Sequence, residues 1–235
     1  MNDEKIIAIE TSSRVGSVAL AAGPLLIAER AFATQTEHGR ELIPTLDALC
    51  REQGWRPGEI SQCYVSIGPG SFTGLRVAVT FARSAALSGN LRICAVPTLA
   101  VIAENCTSLS PPPSRVAVIL DAKRQQVFGG IFDFIDGAYR AEAAARLAGP
   151  GEILSAAPMP RAVIGEGIAF HREAVTQSGV AIVEESLWTP RAAMVHRIGR
   201  RMAQRGEFTT ARSLLPLYIR RPEAEELWEK RQAGI

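Results

Sequence analysis

The sequence lacks most of what would mark a membrane or secreted protein. No apolar run approaches the roughly 18 residues that cross a bilayer. The opening MNDEKIIAIE enters a strand-like segment at once, with no basic region followed by a long apolar stretch, so no secretory signal is expected. Cysteine is scarce. Cys50, Cys63, Cys94 and Cys106 form no C-x-x-C pair and stand among apolar neighbours, which favours reduced core residues in the cytoplasm over disulfides or metal ligands. His38, His171 and His196 form neither an H-E-x-x-H nor an H-x-x-x-H pair. The simplest helix-borne metal signature is therefore absent, and only a site gathered from distant residues stays open. Net charge is +2, too small to argue for nucleic acid. What is present is ordinary for a globular chain: 235 residues, 47% hydrophobic and 21% charged, enough for one large domain or two small ones.

KIIAIE (5–10) reads as a buried strand ending in a carboxylate, TSSR as a turn, and GSVALAA and LLIAERAFA as two further strands. From about Glu37 the period becomes helical, with Leu42, Leu46, Leu49 and Cys50 on one face and Gly54 as the stop. Pro44 must lie near the first turn or kink this helix. The strand CYVSI, a glycine loop with its helix, the strand LRICAV and the helix TLAVIAENC complete the first part. SLSPPPS (108–114) cannot join a helix or a central strand and reads as an extended connector. The pattern then begins again. RVAVILD ends in Asp121, AKRQ turns, QVFGGIFDF returns, and Asp136-Gly137 makes a hairpin into AYRAEAA. Helices near GEILSAA, from Ile168 and from Arg191 to Arg205 alternate with the strands RAVIG and VAIVEE. The expected architecture is α/β, an internal duplication of a βββαβαβα unit with Glu10 and Asp121 in equivalent places. The alternative is chance likeness between two generic halves. The boundaries drawn are 1–107, the connector 108–114, 115–215 and a tail at 216–235.

The loop GPGSFTGLR resembles a phosphate cradle but meets no specific pattern. It has no lysine for a Walker loop, and Gly74 arrives one residue late for G-x-G-x-x-G. What remains is a tight turn at Gly68 and Gly70, with Ser71 or Thr73 as helix cap. In the helix, Gly74, Ala78, Ala82 and Ala86 recur every fourth residue. Such a bare stripe suits close packing, either on the protein's own sheet or on another subunit's helix. The turn ETSSR could hold a metal-bound phosphate if both strand-ending carboxylates faced one cleft, or be a hydrogen-bonded turn with a solvated Glu10. Arg197, Arg200, Arg201 and Arg205 share a helix with Met194, Ile198 and Met202, which is either ordinary amphipathicity or a nucleic-acid face. In the tail, Glu226 and Lys230 suit a solvated helix, and Leu227 and Trp228 could dock on the body or on a partner.

Together GPGSFTGLR, IIAIETSSRVGSVAL, EHGRELIPTL, AVPTLAVIAEN, LDAKRQQVFGGIF, IGEGIAF and LLPLYIRRPEAE resemble the TsaB family along nearly the whole chain. The resemblance implies an actin-like, sugar-kinase-like ATPase fold of two ribonuclease H-like halves. It implies a non-catalytic subunit, not an enzyme in its own right. Such a subunit would support a TsaD-type paralogous transferase in forming threonylcarbamoyladenosine beside the tRNA anticodon. A TsaE-type ATPase would join, tRNA would be met mainly through the complex, and no membrane is involved. ATP and metal would be held by the partner subunits, with none bound tightly here. The implied interface is a bundle of the first two helices, about Glu37 to Gln53 and Thr73 to Leu87. Its residues would be Leu42, Leu46, Leu49, Gly74, Leu75, Arg76, Ala78, Ala82 and Ala86. The same face could form a homodimer. Thr11, Ser12, Gly68, Gly70 and Ser71 would make a weak phosphate or nucleotide site. Two residues depart from the family pattern: Glu10 stands where Asp is usual, and Glu166 occupies a Gly-Asp-Gly position. The competing reading is a stand-alone ATP-dependent phosphotransferase of the sugar-kinase class. A third, a metallopeptidase, rests only on older family naming and finds neither H-E-x-x-H nor G-x-S-x-G.

Overall fold

The computed structural model describes residues 4–34 and 37–220. Its first half runs β1 (Lys5–Glu10), β2 (Ser17–Ala22), β3 (Leu25–Ala31), α1 (His38–Glu52), β4 (Ile60–Gly68), α2 (Phe72–Ser88), β5 (Arg92–Pro97) and α3 (Thr98–Asn105). The second runs β6 (Arg115–Asp121), β7 (Val127–Ile135), β8 (Ala138–Ala141), β9 (Arg146–Ala148), α4 (Pro150–Leu154), β10 (Ala162–Ile164), α5 (Gly167–Phe170), α6 (Arg172–Ser178), β11 (Ala181–Ile182) and α7 (Ala192–Gln204). The first sheet has the order β3-β2-β1-β4-β5 and the second β8-β7-β6-β10-β11. β1 pairs antiparallel with β2 and parallel with β4, and β6 likewise pairs antiparallel with β7 and parallel with β10. The duplication is therefore present at the level of topology. Strand β9, too short to show in the sequence, extends the edge begun by β8 along β7.

β1 is central in its sheet, so both its faces must be apolar. Ile7 and Ile9 point into a core shared with Leu42, Leu46 and Leu49 of α1 and Ala78, Val79 and Ala82 of α2. Ile6 and Ala8 point to the opposite side, against Ala192 and Val195 of α7. Burying each large aliphatic side chain contributes about 1.5–3 kcal/mol, so these two layers account for why the strand reads as one apolar run. Pro44 stands seven residues into α1, beyond the first turn, on the solvent side. The four cysteines are buried and unpaired. Burial pushes the thiols of Cys94 and Cys106 up to about 12, which leaves them inert at neutral pH.

One expectation needs correction. The sequence boundaries assign α3 to the first half and α7 to the second, but packing exchanges them. Leu99, Ile102 and Ala103 of α3 join the core around β6, while α7 covers the back of the first sheet. The physical reason is the remaining apolar face on each sheet: each needs a helix, and the nearest apolar stripe comes from the other half. The seam carries a buried carboxylate. Glu104 on α3 is fully buried and receives Arg197 Nε at 2.9 Å and Arg201 Nη1 at 2.8 Å, both from α7. Arg197 also reaches Thr107 and the Gly137 carbonyl, and Arg205 pairs with Glu207. Three of the four arginines proposed as a nucleic-acid face are thus already engaged within the chain.

After α7 the chain passes the outer edge of β5, where Thr209 N–H donates to the Ile93 carbonyl at 2.8 Å. It then inserts Leu214 into the α1–α2 side of the first core. Residues 214–220 are not helical, against the expectation for 216–220, and the rest of that tail lies outside the described residues.

Candidate functional site

Two features stand out: a cleft between the halves and a trough on α1 and α2. The cleft, of about 660 Å³, is bordered by Ser12, Arg14, Ser71, Asp121, Glu166 and Trp188 among others. Asp121 ends β6 and faces it. Its Oδ1 lies 3.1 Å from His171 Nε2 and accepts the Lys123 N–H at 3.2 Å. Glu166 accepts the Asp121 N–H at 3.2 Å. Burial, and then the charge of Asp121, push the Glu166 carboxyl above its ordinary range. The turn after Asp121 places Lys123, Arg124 and Gln125 at φ of 58°, 53° and 60°. Three consecutive left-handed residues without glycine cost roughly 1–2 kcal/mol each, so the turn is held by its surroundings rather than by preference.

Glu10 is the equivalent of Asp121 by topology but does not face the cleft, which corrects the two-carboxylate expectation. It is fully buried, and its Oε1 accepts both the N–H and the hydroxyl of Ser12, each at 2.5 Å. Its Oε2 has no hydrogen-bond partner. Desolvation pushes its carboxyl up, and the Ser12 contacts oppose that. The folded state therefore holds a proton that the unfolded chain has released near 4.5. The native state binds more protons, so this group's contribution is fully present below 4.5 and is lost as pH rises toward the folded value. Glu10→Gln is expected to flatten that decline and leave the protein more stable at pH 8 than the parent. Urea midpoints at several pH values check this, and an unchanged pH slope would refute it.

The phosphate candidates divide. Ser12, Gly70 and Ser71 border the cleft, whereas Thr11 and Gly68 do not. Thr11 is buried and donates to the Gly74 carbonyl at 2.8 Å. Gly68 lies under the Leu217 backbone. The Ser71 N–H donates to the Ser12 carbonyl at 2.7 Å, and Ser71 Oγ caps Gly74 N at 3.3 Å. A Cβ on Gly70 would meet the Ser12 carbonyl at 2.3 Å, and one on Gly74 the Thr11 carbonyl at 1.9 Å. The loop glycines thus serve to press the start of α2 against the ETSSR turn. His38 completes that junction from α1, with Nε2 2.8 Å from the Ser13 carbonyl. Among the described residues no group of three or more His, Cys, Asp and Glu could hold a metal ion.

The trough between α1 and α2 is about 590 Å³, bordered by Gly39, Ile43, Phe72, Arg76, Val77 and Phe81 among others. Ile43 is 61% and Phe72 39% exposed. Arg76 lies over the Phe72 ring at 3.9 Å. Here the expected interface residues need correction. Leu42, Leu46, Leu49, Gly74, Leu75, Ala78 and Ala82 are buried in the chain's own core, and Ala86 is half-buried. Only Arg76 of the set is exposed. The bare stripe of α2 seats the helix on its own sheet, and the outward face is the adjacent one, Arg76, Val77, Thr80, Phe81 and Ser84.

Two sheets of order 3-2-1-4-5 with crossed terminal helices around a cleft define the actin-like, sugar-kinase-like class of folds. A family model described as "TsaD: tRNA N6-adenosine threonylcarbamoyltransferase" matches residues 32–228, and the chain belongs to this family, within it to the TsaB group. It is 27% identical over 235 residues to the Bacillus subtilis tRNA threonylcarbamoyladenosine biosynthesis protein TsaB, covering 97% of this chain and 99% of that one. With the Escherichia coli protein of the same name it shares 24% over 230 residues, 96% and 97% of the two chains. Among solved structures it resembles YeaZ from Pseudomonas aeruginosa, at TM-score 0.79, 24% identity and coverage of 92% and 99%. A Pseudomonas aeruginosa protein described as uncharacterized, with similarity to peptidase YEAZ, matches at TM-score 0.82, 25% identity and coverage of 92% and 100%.

Proposed function

We propose that this chain is a non-catalytic subunit that binds and supports a TsaD-type transferase forming threonylcarbamoyladenosine next to the tRNA anticodon. The observation that carries the reading is the trough. Of the exposed large apolar side chains, Ile43 and Phe72 stand on two adjacent helices and border one trough, a site suited to a partner's apolar helix. The names of its relatives supply the pathway. In this reading ATP, metal and a TsaE-type ATPase enter through the complex, the protein works in the cytoplasm, and self-association uses the same face. The spent donors of the glycine loop favour it over a stand-alone phosphotransferase, which would bind ATP·Mg tightly in isolation.

The test is co-purification with the cognate transferase subunit, with reconstitution of tRNA modification with and without this chain. Ile43→Arg places a charge in the trough without touching the core and is expected to weaken the complex about 30-fold, the loss of a typical anchor of about 2 kcal/mol. A bulky residue at Ala82 would not serve, because that position is fully buried. Failure of the two proteins to associate, or normal modification in the absence of this chain, would overturn the proposal.

A further inference from the structure

The segment 214–220 touches both features of the site. The Leu217 N–H donates to the Ile67 carbonyl at 2.7 Å, which fixes the strap beside the end of β4. One residue on, the Tyr218 ring lies 5.2 Å from that of Phe72, and Arg76 Nε donates to its hydroxyl at 3.2 Å. Phe72 and Arg76 are walls of the trough. Two residues further, the Arg220 guanidinium donates to the Ala122 carbonyl and, at 2.6 Å, to Gln126 Oε1. Ala122 and Gln126 bracket the three left-handed residues, and the Ala122 N–H itself donates to the Gln126 carbonyl at 2.9 Å. Lys123, inside that bracket, borders the cleft. One short segment thus spans from the trough wall to the cleft rim, and its far end clasps the turn that carries three consecutive left-handed residues.

We propose that this strap is a latch coupling the trough to the cleft. A partner side chain seated on Phe72 and Arg76 takes the place of Tyr218, draws the Arg220 guanidinium off the Ala122–Gln126 turn and loosens the cleft rim. A tightened turn conversely holds Tyr218 over the end of the trough. Arginine suits the clasp because its planar fork donates to two acceptors at once, which a lysine cannot reproduce. The partner half of this inference rests on the trough being a docking face; the latch itself is a property of the chain alone.

Hydrogen exchange of the Ala122 and Gln126 amides reads the latch directly. In the full-length protein, Arg220→Ala is expected to speed their exchange about tenfold, with Arg220→Lys between it and the parent. Tyr218→Ala, which leaves Arg220 in place, is expected to do the same from the trough side. Unchanged exchange at the Ile7 and Ile9 amides of β1 in each variant shows that the fold is intact. Faster exchange in Arg220→Ala with none in Tyr218→Ala would overturn the coupling, and no change in either would overturn the latch. Adding the transferase subunit is expected to speed exchange at the turn in the parent and to change nothing further in Arg220→Ala. A complex that forms by co-elution and leaves the turn unchanged refutes the coupling. If no complex forms, the docking proposal fails, and the two single variants still decide the latch.

Discussion

Gly74→Ala is expected to destabilise the protein by at least about 3 kcal/mol, at the upper end of what overpacking usually costs. The methyl would sit 1.9 Å from the Thr11 carbonyl oxygen and 2.9 Å from His38 Cδ2. The first contact is with backbone directly after the central strand β1, which cannot give way without moving the strand. Thr11 is tied to the same point by its hydroxyl, which donates to the Gly74 carbonyl at 2.8 Å. Helix propensity alone favours alanine over glycine by about 1 kcal/mol, so a loss isolates the steric term from the backbone preference. Gly39→Ala in α1 is the control. Its methyl meets only Val77 Cγ2 at 3.8 Å, and it is expected to be neutral or slightly stabilising. Urea unfolding of the two variants side by side makes the comparison. A Gly74→Ala protein within about 0.5 kcal/mol of the parent, the range of an ordinary surface change, would mean that the tight junction does not exist in solution.

The second large effect is expected at the seam. Arg197→Met with Arg201→Met leaves Glu104 fully buried without either cation, and should cost about 3–5 kcal/mol, as for other buried pairs broken from one side. The reverse change is milder. Glu104→Gln keeps an acceptor for both guanidiniums, and the arginines are 43% and 29% exposed, so water can solvate what the carboxylate gave up. The order of the two costs matters more than their size. If Glu104→Gln proved worse than the double arginine variant in thermal and urea unfolding, the seam would not be organised around the buried charge.

Much of the fold was legible because strands buried on both faces read as unbroken apolar runs. KIIAIE and RVAVILD announced both central strands and, through the carboxylate each ends on, the repeat. The leucines of α1 marked its inward face for the same reason of period. The stripe of α2 was visible but ambiguous: Gly74, Ala78 and Ala82 allow close approach, and spacing cannot say whether to a sheet or to a partner. The exchange of α3 and α7 was not legible at all, because an amphipathic helix encodes that it needs a surface and not which one. His171 was missed at the cleft because its partner Asp121 is 50 residues away and no local pattern links them. Glu10 was placed correctly at its strand end, but its full burial and its contact with Ser12 are matters of side-chain conformation that no strand pattern shows.

The crossing of α7 onto the first sheet sets an order of events on the ribosome. Ile6, Ala8, Ala19, Ala21, Tyr64, Cys94 and Val96 form the sheet face that α7 covers. All of them are synthesised before the connector, and their cover comes about 100 residues after Val96, a wait of roughly 5–20 s at ordinary elongation rates. The nascent first half therefore carries this apolar sheet face, met only by Val101 of α3, through the synthesis of the second half's strands. The helix that closes it follows every strand of both sheets in chain order, so the first sheet is finished only after the strands of the second have been made.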